Sequence, residues 1–468
     1  MALGNRRTER QAELWIAAED LARTPRHVFY VKLNEVLAKG EFDAWLEAKC
    51  AKHYAAGGRP SVPPGVYFRM LLIGYFEGID SQRGIAWRCA DSLSLKKFLG
   101  FSPTEATPDH SSLTHIRRRL PLSLFQDVFR FVLELADRYK LLSGTIVGVD
   151  STTLEANAAM KAIVRRDTGE DWPAYITRLM EQEGVIEAGE TPSAEEIRRF
   201  DKRRKDKKVS NEEWTSPADP DARIAKMKDG RTHLAYKAEH VMDLKTEVIV
   251  SAEVYHADQG DQSTLADSLE RAQDHLDEAA PGRQVEKVAA DAGYHSAEAL
   301  EQCRELGLAG VKTYIPEPKL NHARRWTDKP EEHQEFVYAN RQRVGREYGK
   351  KLQRRRSEVV ERGFAHVCDT GGARRSWLRG IENVNKRHLI STAAHNLGLI
   401  LRKLLGSGKP REFGDLWRLW QLLQNALFKL CRAWGALVGR EATQTSFALT
   451  LLSILWRLRG KYASSTGC

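Results

Sequence analysis

The sequence predicts an α/β protein in which a mixed sheet is flanked by helices, with a helical region before it and a helical tail after it. Three observations support this. Residues 1–140 read as mostly helical, with apolar residues at helical spacing. From Thr145 the pattern changes to short, β-branched runs that later alternate with helical segments. Beyond residue 345 it returns to helices.

In chain order, "PPGVYFRMLLIGYFEGI" (63–79) starts a helix behind two prolines, and "DSLSLKKFLGF" (91–101) forms a shorter amphipathic one. In "TPDHSSLTHIRRRLP" (107–121), Asp109 or Ser111 caps a helix whose edge carries Arg117, Arg118 and Arg119. Residues 122–142 make a long helix. "TIVGVD" is a strand that closes on Asp150. Residues 155–230 form an insertion without clean strand periodicity. It holds a basic run, 198–208, with eight basic and two acidic residues. Segments 233–242 and 247–255 make a hairpin. A helix (261–275), the strand "VEKVAAD" (285–291), a helix (296–306) and the strand "AGVKTYIP" (309–316) follow. Residues 317–345 read as a polar loop, 346–368 and 387–406 as helices, and 407–468 as two further helical patterns rich in tryptophan.

The chain has 468 residues, a prior for two to three domains, and 42% apolar residues, enough for a substantial core. Seventy-three Lys and Arg against 63 Asp and Glu leave a net charge of +10. That excess, with a pI near 9.2, points to a polyanionic partner, nucleic acid being the commonest. Six scattered cysteines form no C-x-x-C pair, which argues against a zinc site and a disulfide scaffold and for a reducing compartment. "MALGNRRTER" lacks the apolar core of a signal peptide. The longest apolar run, 447–456, falls short of the ~18 residues of a membrane span. A cytoplasmic protein is expected.

Two strands close on a carboxylate, at Asp150 and at Asp291, the second followed at once by "AGYHS". Strand ends at the open edge of an α/β sheet are where ligands bind. Close carboxylates repel unless neutralised, and a divalent cation with oxygen ligands neutralises them. The helix 346–368 offers a third carboxylate, Glu358 or Glu361, beside the apolar stripe of Val360, Phe364 and Val367. The pattern does not separate the two.

These segments carry a resemblance. "YFRMLLIGYFEGIDSQRGIAWRCADSLSLKKFLG" and "PDHSSLTHIRRRLP" resemble the N-terminal helical domain of bacterial insertion-sequence transposases of the DDE type. "VGVDSTTLEANA", "HLAYKAEHVMD", "AADAGYHS" and "RSEVVERGFAHV…RGIENVNKRHLISTAAHNLG" resemble their catalytic core, which has a ribonuclease H-like fold. The resemblance spans roughly residues 60–405. It implies a helical DNA-binding and dimerisation domain (1–140), a catalytic domain (141–406, with the insertion 155–230) and a helical tail (407–468). Carried over by position, Asp150, Asp291 and Glu361 are the three acidic residues. The family motif around that glutamate brings Tyr and Arg before it and Lys after it. Arg356 matches the Arg, but Gln353 stands at the Tyr position and Cys368 at the Lys position.

The activity implied is hydrolysis at the ends of an insertion sequence followed by strand transfer, with two Mg²⁺ (or Mn²⁺) ions on the three carboxylates. Tyr294 and His295 lie beside Asp291. Double-stranded DNA, both terminal inverted repeats and target, would be held through phosphates. The candidate contacts are Arg117–Arg119; Arg203, Arg204, Lys205, Lys207 and Lys208; Arg354–Arg356; and Arg375 and Arg379. A homodimer is implied, because two element ends must be joined, and so are a bacterial cytoplasm and association with the nucleoid. The rival readings are a nuclease on the same fold that cuts without joining, and a non-catalytic DNA-binding descendant of a transposase.

Overall fold

A computed structural model describes residues 26–410, apart from 56, 58–60, 206–208, 228–229, 307–309, 320–323, 325 and 328. Lys207, Lys208 and nearly all of the expected C-terminal tail lie outside the described residues.

The chain enters through α1 (Arg26–Lys39), α2 (Phe42–Cys50), α3 (Pro64–Glu77), α4 (Gln82–Ala90), α5 (Leu93–Leu99), α6 (His110–Arg119) and α7 (Leu122–Arg138). The start signals work as the sequence suggests. Pro64 occupies the first turn of α3, where a missing N–H costs nothing. Ser81, Ser92 and Asp109 accept from backbone N–H groups at the starts of α4, α5 and α6. Inside this region Arg69 is buried over the Phe42 and Phe98 rings and forks onto both oxygens of Asp43.

Next come β1 (Ile146–Glu155), β2 (Val164–Arg165), α8 (Trp172–Gln182), α9 (Ala194–Arg203), β3 (Trp214–Thr215), β4 (Arg223–Lys226), β5 (Thr232–Asp243) and β6 (Ile249–His256). They are followed by α10 (Asp261–Ala279), β7 (Lys287–Ala289), α11 (Ala297–Glu305), β8 (Lys312–Tyr314), α12 (Glu331–Gly345), α13 (Glu347–Phe364) and α14 (Ile381–Leu405).

The sheet is mixed. β5 and β1 pair antiparallel, β1, β7 and β8 pair parallel, and β4 and β6 share the outer edge of β5 in series. Neighbouring residues of β5 show which helices cover which face, because successive strand side chains point opposite ways. Glu239 meets Thr264 and Ser268 of α10 on one face. His240 meets His388 of α14 and stacks on Phe364 of α13 on the other. Asn396 of α14 pairs with both backbone groups of Ile249, and Asn340 of α12 with both of Ile315, so two buried amides tie helices to the sheet. The apolar core runs without a break from the N-terminal helices into the sheet.

Three expectations are corrected. The first strand does not close on Asp150; β1 continues to Glu155, because β5 supplies an antiparallel partner for every residue from Val147 on. The insertion 155–230 is not free of strand structure. β4 joins the main sheet, and β2 pairs with β3 around a small core of Trp172, Tyr175 and Trp214. Residues 317–345 are not all loop, since 331–345 form α12. Its packed face, His333, Val337 and Asn340, is one-third apolar, so hydrophobic periodicity does not report it.

Candidate functional site

The parallel ladder between β1 and β7 pairs Ile146 with Lys287, Val147 with Val288 and Gly148 with Ala289. Asp150 and Asp291 each lie two residues beyond the last pair. The charge of Asp291 acts on Asp150, so the two carboxylates lie near the same end of the ladder. Asp150 is largely buried. Desolvation pushes its carboxyl up from the ordinary value, Arg356 pulls it down, and the charges of Asp291 and Asp261 push it up again.

Asp261 is the residue that sequence reasoning missed. It begins α10, on the far side of the hairpin from Asp150 in sequence. Its Oδ1 accepts from Ser151 Oγ at 2.9 Å and from Lys237 Nζ at 3.1 Å. A carboxylate in the first turn of a helix is common as a partner of the macrodipole, so the sequence gives no signal that this one turns towards the sheet.

Arg356 projects from α13 onto Asp150, with Nη1 2.9 Å from Oδ2 and Nη2 3.3 Å from Ser357 Oγ. The close approach depends on Gly148. A Cβ there would lie 2.7 Å from Leu244 Cδ2 and 3.0 Å from both Arg356 Cγ and Val360 Cγ2. Gln353, on the same helix, donates to the carbonyls of Ala290 and Tyr314 and so ties the ends of β7 and β8. Cys368 is buried in a π-helical turn that extends α13.

Glu358 and Glu361 of α13 are neighbours on the helix surface with different surroundings. Glu358 joins Arg355, Arg362 and Glu247 in a salt-bridge cluster beside the β5–β6 turn. Glu361 is exposed and lies one turn beyond Ser357, the residue that shares the Arg356 guanidinium with Asp150. Among the described residues, no three acidic, His or Cys side chains stand close enough together to hold a metal ion.

A buried polar cluster supports the Asp291 turn from below. Glu239 is fully buried and accepts from Ser268 Oγ at 2.5 Å, Thr264 Oγ1 at 2.8 Å and Tyr294 OH at 2.8 Å. Lys237 Nζ lies 3.5 Å away. Tyr294 is therefore a buried strut of the turn. His295 is also buried, and it sits in the field of Arg324, Glu317 and Arg341, with its imidazole pushed down by desolvation.

The expected DNA contacts separate by environment. Arg118, Arg203, Lys205, Arg354 and Arg379 are exposed. Arg119 is exposed too and lies over the Tyr54 ring. Arg204 is packed over Tyr175 and paired with Asp201, Arg355 is tied into the Glu247 cluster, and Arg356 is buried on Asp150. Arg117 and Trp377, distant in sequence, border the same cleft between the N-terminal helices and α14. Arg117 Nε donates to Asn383, and Arg375 stacks on Trp377.

Carboxylate oxygens are the ligand type that a hard divalent cation takes, but the described residues do not gather three of them around one point. The charges of Asp291 and Asp261 both act on Asp150, while Arg356 pairs with Asp150 and Lys237 with Asp261. Among the described residues, no helix is long and apolar enough to cross a membrane.

Two family models match the chain. The Transposase domain (DUF772) covers residues 18–119 and the Transposase DDE domain covers residues 193–397, which is 102 and 205 residues of 468, about two thirds. Asp261, Asp291 and Glu361 fall inside the second match; Asp150 lies between the two, so its place in the site rests on its register with β7. A DDE domain implies a ribonuclease H-like fold, and the mixed sheet flanked by helices agrees with it. No curated protein and no solved structure matches.

Proposed function

The chain belongs to the DDE-type transposases, and from that premise we propose that Asp150, Asp291 and Glu361 form its catalytic centre, cutting DNA at the ends of an insertion sequence and joining them to a target. DDE transposases work with divalent metal ions. A pair of Mg²⁺ or Mn²⁺ ions would supply the charge that activates the attacking hydroxyl and stabilises the leaving oxygen. The observation that carries the assignment is the shared offset of the β1–β7 ladder and the two aspartates.

The remaining work falls to the chain. Asp150 and Asp291 present carboxylates from neighbouring strands, and Asp261 is a further oxygen donor beside them. Arg356 neutralises Asp150 and holds it in one rotamer. Ser151 and Lys237 orient Asp261. Glu361 rather than Glu358 is favoured as the third carboxylate, because Glu358 is engaged with Arg355 and Arg362. The exposed arginines and lysines hold phosphates, so affinity falls steeply with salt. Residues 1–140 serve as the DNA-binding and dimerisation domain, 141–406 as the catalytic domain and 407–468 as a tail, in a homodimer acting in the cytoplasm on paired inverted repeats.

The test is cleavage of DNA carrying the element's own inverted repeats, with and without Mg²⁺. Asp150→Ala and Asp291→Ala lose cleavage and keep DNA binding, and Glu361→Gln is more damaging than Glu358→Gln. Near-normal cleavage by either aspartate variant refutes the site. Hydrolysis without joining of precleaved ends refutes transposition in favour of a nuclease.

A further inference from the structure

A cleft of about 370 Å³ opens between the N-terminal helices and the start of α14. One wall comes from α3, α4, α6 and Phe125 of α7, and the other from 371–378 and α14. It lies on the seam between the two matched family segments and contains none of the three carboxylates assigned above.

Four cations line the cleft, Arg83, Arg117, Lys386 and Arg387, against one carboxylate, Asp80. Most of these charges have work within the fold. Asp80 Oδ2 accepts from Trp377 Nε1 at 2.7 Å. Lys386 pairs with Glu382 at 2.7 Å. Arg387 donates to the carbonyls of Gly372 and Arg375, which holds the 371–378 wall in place. Arg117 differs: its Nε donates to Asn383 at 3.3 Å, while its Nη1 is buried with no hydrogen-bond partner among the described residues. A charged donor left in that state is costly, and folded proteins rarely tolerate it without a ligand or water.

The rim adds a second feature. Trp377 is 46% exposed, unusual for so large an apolar side chain, yet it is not free to move. Its Nε1 is anchored on Asp80, its carbonyl accepts from Asn157 at 2.9 Å, and the Arg375 guanidinium sits 4.7 Å from the ring centroid. An immobilised indole beside a cation-lined cavity is the chemistry that recognises a base attached to a phosphate. The volume is at the small end of the ligand-site range, suited to one nucleotide.

We propose that this cleft binds a single unpaired nucleotide, its base on Trp377 and its phosphate at Arg117. The inference rests on DNA as the substrate but not on the metal site, so it is tested in EDTA. The probe is a duplex with a short single-stranded overhang carrying 2-aminopurine, compared with the blunt duplex, with an abasic overhang and with a free deoxynucleoside monophosphate. The full chain quenches the overhang probe. Trp377→Ala weakens its binding about tenfold or more, the size of one base–aromatic stack, while blunt-duplex binding is unchanged. Trp377→Phe keeps part of the stack, and Arg117→Lys weakens overhang and free nucleotide alike. Competition by the free monophosphate assigns the site to nucleotides in general; its failure, with overhang binding intact, assigns it to a DNA strand. Equal binding of the abasic overhang, or unchanged quenching by Trp377→Ala, overturns the proposal.

Discussion

Replacing Lys237 by methionine removes the cation from the buried cluster under the Asp291 turn and leaves a side chain of similar length. Lys237 Nζ lies 3.1 Å from Asp261, 2.8 Å from Thr264 Oγ1 and 3.5 Å from Glu239. Removing one partner of a buried pair costs about 3–5 kcal/mol, because the other charge is left uncompensated. Glu239 keeps three hydroxyl donors, which places the loss at the lower end, about 3 kcal/mol. Desolvation already pushes the Glu239 carboxyl up, and Lys237 is the largest influence pulling it down. Without the lysine the folded-state value rises further. An acid raised in the folded state favours folding at low pH and loses that contribution as pH rises through its folded value. The deficit of Lys237→Met is therefore largest near pH 8 and shrinks on acidification. Adding Glu239→Gln removes the orphaned charge and recovers part of the loss. The assay is urea unfolding of wild type, both single variants and the double variant at several pH values, read as a double-mutant cycle. A loss under about 1 kcal/mol at pH 8, or a coupling energy near zero, would refute the argument.

Two further predictions follow from packing and burial. Gly148→Ala crowds Leu244, Arg356 and Val360 at 2.7–3.0 Å and forces α13 off β1. It should cost about 1–3 kcal/mol and lower cleavage more than DNA binding, by nuclease assay and filter binding on the same preparation. His275 is buried against Val250 O, and desolvation lowers its imidazole to about 4. A base depressed in the folded state stabilises above its unfolded value and loses this as pH falls, here between about 6.5 and 4, worth up to about 3 kcal/mol. His275→Gln should flatten the acid limb of the stability–pH curve by close to one proton, and an unchanged slope would exclude His275 as a source of acid lability.

Some features were legible because they are local. Asp109, Ser81 and Pro64 act within one turn of themselves, so the helix starts of the N-terminal region followed from short-range hydrogen bonding. The β5–β6 hairpin followed from period-two patterning and a short turn. The basic surplus came from composition alone. Other features depended on partners far along the chain. The length of β1 beyond Asp150 depends on β5, about 90 residues later. The helix α12 was hidden because its buried face is mostly polar and pairs with other elements. Asp261 looks like any acidic residue at a helix start until the sheet register brings Ser151 and Lys237 to it.

By sequence alone this protein is determined to be an α/β chain with a helical lead-in, a basic surface and carboxylates at Asp150, Asp291 and the 346–368 helix. Only the tertiary structure decided that Asp291 and Asp261 act on Asp150, that Arg356 is spent on Asp150, and that Glu358 is engaged with Arg355 and Arg362. Composition and periodicity report what a residue does within one helical turn or one strand. Register and helix rotation are set by packing between segments far apart in the chain, and that packing assembles the site.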